Sequence, residues 1–134
     1  MNNETSGFKT DVKLKSLGKS HWWKRENFEV LEDIIYYSEL MGQFYTIPKG
    51  FQSDLASTPY IFSWLLPPDG EYKYEALLHD YLYRTVTVNI TRDQSDLVFE
   101  EAMIVGIVDK WKRITLVKAV QLFGGSSFED RELL

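Results

Sequence analysis

The hydrophobic pattern changes period halfway along the chain. Val12 and Leu14 alternate with lysines, Phe28–Tyr37 is rich in β-branched and aromatic residues, and Gln43–Ile47 follows a short turn at Met41-Gly42. A period of two in β-favouring side chains predicts strands, arranged as a meander or hairpin. Pro48-Lys49-Gly50 breaks that pattern, Phe51–Pro59 reads as a polar loop, and Pro67-Pro68-Asp69-Gly70 is a second turn. Beyond it the period becomes helical. Glu71–Arg84 carries one stripe of Tyr74, Leu77, Leu78, Tyr81 and Leu82 and another of Tyr72, Ala76, His79, Asp80 and Tyr83, so this helix is apolar nearly all round and predicted to be buried. Thr91-x-x-Gln94 has capping-box form ahead of a helix running to about Val108, with Asp96, Phe99, Met103 and Ile107 on its inner face. A last helix, from about Trp111 to Phe123, stops at Gly124-Gly125. The expected fold is α+β: a small antiparallel N-terminal sheet followed by about three helices.

Composition narrows the class. A chain of 134 residues suits one domain, with 1–7 and 126–134 peripheral. Hydrophobic residues make up 44% and charged residues 26%, and no apolar run approaches the roughly 18 residues a membrane span needs, which disfavours disorder and a transmembrane segment. The chain has no cysteine, which excludes a disulfide framework, thiolate metal ligands and a cysteine nucleophile, and its two histidines exclude a multi-His zinc site. Fifteen basic against twenty acidic residues give a net charge of −5, which argues against nucleic-acid binding by bulk charge. Against that background, Lys9, Lys13, Lys15, Lys19, Lys24 and Arg25 face only Asp11 between Phe8 and Arg25. This basic arm reads as an edge strand guarded by lysines, or as a surface for an acidic partner or lipid headgroups. Met1–Gly7 has no apolar stretch behind it, so no classical secretion signal is expected.

The sharpest chemical feature is His79-Asp80, set in the apolar run Ala76-Leu77-Leu78 to Tyr81-Leu82. Two adjacent ionisable groups are costly to bury without partners. Neighbours on a helix point about 100° apart, so His79 and Asp80 cannot pair with each other but can face two walls of one cavity, with Tyr83 one turn beyond. If the next helix packs antiparallel, Asp96 comes within reach of His79, with Arg92 one turn before it and Glu100 one turn after. A carboxylate behind a histidine fixes the ring tautomer and supports a general base or a metal ligand. The same groups would equally serve as a buried polar network holding two helices in register. Asp54, Ser57 and Thr58 are candidate binding residues of the central loop; as plain structure they would form side-chain turns or cap a helix starting at Pro59. His21 reads as a strand or surface residue. Phosphate-cradling Gly-rich loops, a G-x-S-x-G elbow, H-E-x-x-H and an EF-hand loop are all missing from the sequence, while a hard cation held by Asp80 and backbone carbonyls is compatible with it.

Taken in order, Ile47-Pro48-Lys49-Gly50-Phe51-x-Ser53-Asp54-Leu55-Ala56-Ser57-x-Pro59, Leu78-His79-Asp80-Tyr81-Leu82-Tyr83, Arg92-x-x-x-Asp96, Glu101-Ala102-Met103 and Val120-x-Leu122-Phe123-Gly124 resemble the phage and prophage domain-of-unknown-function 1353 family over roughly residues 43–125. Ser53 stands where that family commonly has Thr. The resemblance implies a phage or prophage origin, hence the host cell cytoplasm or the virion, and one small domain; it carries no established activity. His79-Asp80-x-x-Tyr83-Arg84 with a carboxylate on the next helix is also similar to the core of the phospholipase A2 superfamily, above all its short bacterial members. That likeness implies His79 deprotonating a water, Asp96 orienting His79, Tyr83 hydrogen-bonded to Asp96, and Asp80 holding calcium with loop carbonyls. The chain departs from it in having no cysteine and no Gly-rich calcium loop, only Pro48–Gly50 or Pro67–Gly70 in its place.

Two expectations follow. One is a small phage or prophage accessory protein whose His79/Asp80/Tyr83/Asp96 cluster hydrolyses an ester, with calcium as cofactor. The other is a non-enzymatic phage protein, either a tail or virion component or an inhibitor that binds a host protein or small signalling molecule, in which the cluster is structural. The twenty aromatic rings divide accordingly. Tyr74, Tyr81 and Phe99 are assigned to helix packing, Tyr36, Tyr37, Phe44 and Tyr45 to the sheet, and Tyr83 and Tyr72 to the polar cluster. Trp22-Trp23, Tyr60–Trp64 and Trp111 are left as surface candidates.

Overall fold

The computed structural model describes residues 4–19, 27–53, 73–85, 87–106 and 108–123. Six strands precede three helices: β1 (Gly7–Phe8), β2 (Leu14–Gly18), β3 (Asn27–Val30), β4 (Ile34–Ser38), β5 (Gln43–Ile47), β6 (Gln52–Ser53), α1 (Lys73–Arg84), α2 (Arg92–Val105) and α3 (Lys110–Phe123). The architecture is α+β, with all strand pairs antiparallel. The strands form two three-stranded sheets rather than one, in the orders β1-β4-β5 and β2-β3-β6.

The segment Phe28–Tyr37 does not run as a single strand. It breaks at Leu31–Asp33, so β3 joins one sheet and β4 the other. β4 and β5 make a hairpin registered from Ile34 opposite Ile47 to Ser38 opposite Gln43, and Gly42, at φ +65°, supplies the left-handed turn residue. Period-two alternation places Tyr45 and Ile47 inside and Phe44 outside, where its ring lies 4.7 Å from that of Tyr37. Pro48-Lys49-Gly50 turns the chain back, with Gly50 at φ +92°, its N–H on the Val30 carbonyl and Val30 N–H on the Phe51 carbonyl. β6 is thereby laid beside β3. β2 lies at a sheet edge with Lys15 exposed, and Lys13, just before it, pairs with Glu32 at 3.2 Å.

The core has two parts. Val30, Ile34, Tyr36, Tyr45, Ile47 and Phe51 from the sheets meet Leu77, Leu78 and Leu82 of α1 and Val98 and Ala102 of α2. Ala76, Phe99 and Met103 meet Val108, Leu116, Val117 and Val120 on the α3 side. The first helix is therefore enclosed, as its all-round apolarity predicts, with Glu75, His79 and Asp80 buried among its leucines. Each large aliphatic side chain taken out of water contributes roughly 1.5–3 kcal/mol, which is how a helix can carry polar groups inside. Tyr74 is the exception among the rings assigned to packing: it is 45% exposed, since it stands in the first turn of α1 and its hydroxyl tip is compatible with the surface. Tyr72, Ile107, Trp22-Trp23, Tyr60–Trp64, His21 and the Pro67–Gly70 turn lie outside the described residues. Among the described residues, no helix is long and apolar enough to cross a membrane.

The capping box forms: the Thr91 side chain accepts from Gln94 N–H, and the Gln94 side chain accepts from Thr91 N–H. It sets the N-cap of α2 at Thr91, one residue before Arg92 and five before Asp96. Thr91→Ala is expected to cost about 1 kcal/mol, read as a lower urea midpoint at unchanged slope.

Candidate functional site

The His79-Asp80 pair sends its two side chains to different neighbours, as their angular separation on a helix requires. His79 faces α2, where its Nε2 lies 2.8 Å from Asp96 Oδ1. Tyr83, one turn further along α1, donates its hydroxyl to the same oxygen. Asp96 is the acceptor for both, so the neutral His79 ring donates through Nε2 and keeps Nδ1 as its acceptor nitrogen. The ring lies against those of Tyr83 and Phe99, at centroid distances of 4.1 and 4.6 Å and tilted by 42° and 33°. His79, Asp80 and Tyr83 have no exposed surface and Asp96 has 3%.

Asp80 faces the sheet. Its Oδ2 accepts from Ser53 Oγ at 2.6 Å and from Arg84 Nη1 at 3.1 Å, while the same guanidinium nitrogen donates to the Gln52 carbonyl at 2.8 Å. Asp80 thus ties β6 to α1, and it is wired as the anionic partner of Arg84. Among the described residues, no group of three or more His, Cys, Asp or Glu side chains is arranged to hold a metal ion.

Arg92 extends the network to the third helix. Its Nε donates to Tyr83 Oη at 3.3 Å and its Nη2 to the carbonyls of Val120 and Gln121, so one guanidinium links α1 to the last turn of α3. Glu100 is not part of this cluster; it lies with Glu101 on the rim of a surface groove. Asp54, Ser57 and Thr58 lie outside the described residues, immediately after Ser53.

The electrostatics follow from burial. Desolvation holds the His79 imidazolium well below its ordinary pKa of 6.5, outweighing the upward pull of Asp96, so the ring is neutral. Burial, and then the hydrogen bond to Asp96, push the Tyr83 hydroxyl up, which keeps it a donor. Sequence reasoning passed over Glu75, one turn before His79. Its carboxyl is buried against Gly106, where a Cβ would collide with Oε1, and Oε2 has no hydrogen-bond partner among the described residues. Burial pushes the Glu75 carboxyl up to about 7. The only sequence signal was an acidic residue flanked by Tyr74 and Ala76 in a helix apolar on every side.

A family model described as protein of unknown function (DUF1353) matches residues 28–120, from β3 into the last turn of α3, well over half of the chain. The chain belongs to this family. The DUF1353 match takes in His79, Asp80, Tyr83, Arg92 and Asp96, and also the central loop. None of the curated proteins and none of the solved structures compared with the chain matches it.

Glu75 and His79 act in opposite directions on stability. Glu75 holds its proton more tightly folded than unfolded, so its contribution is full below pH 4.5 and is lost as pH rises towards about 7. His79 resists protonation when folded, so its contribution is full above pH 6.5 and is lost as pH falls below that. Glu75→Gln is expected to stabilise the fold at pH 8 by about 1–3 kcal/mol and to have little effect at pH 4.5, measured by denaturant titration at both values.

Proposed function

We propose that this DUF1353 protein is a small phage or prophage accessory protein that acts by binding a partner, with His79, Asp80, Tyr83 and Asp96 as the buried frame that fixes its helices. One observation carries this reading: the histidine and both aspartates are closed off from solvent, with their side chains hydrogen-bonded to protein groups. A general base has to come within hydrogen-bond reach of a water or substrate proton, and a ring with no exposed surface offers no such approach here. A tail or virion protein, or an inhibitor of a host protein or small signalling molecule, needs only a surface held in shape. The phage setting, and with it the host cytoplasm or the virion as location, is supported by the ordered motifs from Ile47 to Gly124.

A second reading has a specific observation in its favour. The convergence of His79 Nε2 and Tyr83 Oη on Asp96 Oδ1 is the wiring that the phospholipase A2 likeness implies. In that reading His79 Nδ1 takes a proton from water, which attacks an ester carbonyl, and Asp96 steadies the imidazolium formed.

The readings diverge on substitution. A structural cluster makes His79→Ala and Asp96→Asn lose on the order of 3 kcal/mol, with a clear fall in Tm, because each strands buried polar groups. A catalytic cluster makes the same variants lose turnover on a panel of short- and long-chain esters while Tm stays within a few degrees. Under the binding reading, millimolar calcium leaves the wild-type Tm unchanged; a rise that Asp80→Ala abolishes would transfer the case to the hydrolase.

A further inference from the structure

The second and third helices differ in charge, acidic residues outnumbering basic ones on α2 and only basic ones occurring on α3. From Lys110 to Phe123, α3 contains Lys110, Lys112, Arg113 and Lys118 and no acidic residue, in a chain of net charge −5. Its solvent side presents Trp111, Ile114 and Leu122, of which Leu122 is 74% exposed, with Lys118 between them. These positions, three, four and four residues apart, form one stripe. On α2, Asp93, Leu97, Glu100 and Ile104 form a stripe with similar spacing, facing away from α3. Leu97 and Ile104, with Val105 and Leu40, line a groove of about 400 Å³ together with Glu39, Glu100 and Glu101.

The stripes match in length and chemistry. Each spans about 16 Å of helix, at 1.5 Å per residue. Laid parallel in register, Glu100 comes opposite Lys118, Ile104 opposite Leu122, and Asp93 beside Lys110. They cannot meet within one molecule, because α2 and α3 already pack through Phe99, Met103, Leu116, Val117 and Val120 on their other sides. Exposed apolar side chains interspersed with charge mark a contact surface, and among the described residues Lys110 and Lys118 of the α3 face complement Asp93 and Glu100 of the α2 stripe at similar spacing.

We propose that the α2 groove is a docking site for α3 of a second copy of this chain. The contact is heterologous, so it leaves each copy with a free groove at one side and a free α3 at the other, and it either closes into a ring or continues as a linear assembly. The inference stands apart from the role of the His79 cluster, since neither stripe includes a residue of it.

Sedimentation velocity on the full chain, from low micromolar to several hundred micromolar protein, tests this directly. The expected result is concentration-dependent association that weakens with added salt. Lys118→Glu and Glu100→Lys are each expected to weaken it by roughly tenfold or more through like-charge contact, and an equimolar mixture of the two variants to recover it. Both side chains lie outside the core, so unchanged thermal melts confirm that each variant is folded. A protein that stays monomeric throughout the range overturns the proposal, as does association that neither reversal weakens or a mixture that does not recover. Monomeric protein that binds phosphatidylglycerol vesicles through Trp111 would reassign the basic face to a lipid surface and also overturn it.

Discussion

The Asp96 carboxylate, buried between two helices, is the constraint on which the helical half depends. A carboxylate shut away from water is tolerated only where donors surround it, and His79 and Tyr83 supply them from adjacent turns of one face of α1. That requirement fixes the rotation of α1 and its axial register against α2, because a shift by one residue would swing both donors away. Arg92, one turn before Asp96, carries the register on to α3 through the Val120 and Gln121 carbonyls. Apolar packing alone tolerates many similar arrangements of leucine-rich helices; a shared buried acceptor selects one.

Asp80 performs the corresponding task towards the sheets. Its contacts with Ser53 and Arg84, and the Arg84 contact with the Gln52 carbonyl, bind α1 to the edge strand β6, whose position is set by the Gly50 turn and its pairing with β3. One dipeptide in one helix therefore joins the two halves of the fold. In the binding reading proposed above, the pair serves as fixed struts and the partner is met at the surface, where α2 is rich in acids and α3 in bases. Glu75 is a different case, a carboxyl that burial pushes up to about 7.

The sequence by itself determined the class of the elements and most of the polar cluster. The switch from period two to helical period, the capping box at Thr91 and the improbability of an unpartnered His79-Asp80 inside a leucine run are local facts, and local facts are readable. Asp96 could be named as the partner because helical spacing placed it inward. What only the tertiary structure decided was how those groups are shared and sealed. That β3 and β4 belong to different sheets depends on long-range pairing with β6 and β1; that Asp80 spends itself on Ser53 and Arg84 depends on where β6 arrives. That Glu100 stands on a groove with Leu40 and Ile104 depends on the β4–β5 turn folding over α2. Periodicity reports which face of an element is buried, but not against which neighbour or how far from water, because those are properties of the assembled core.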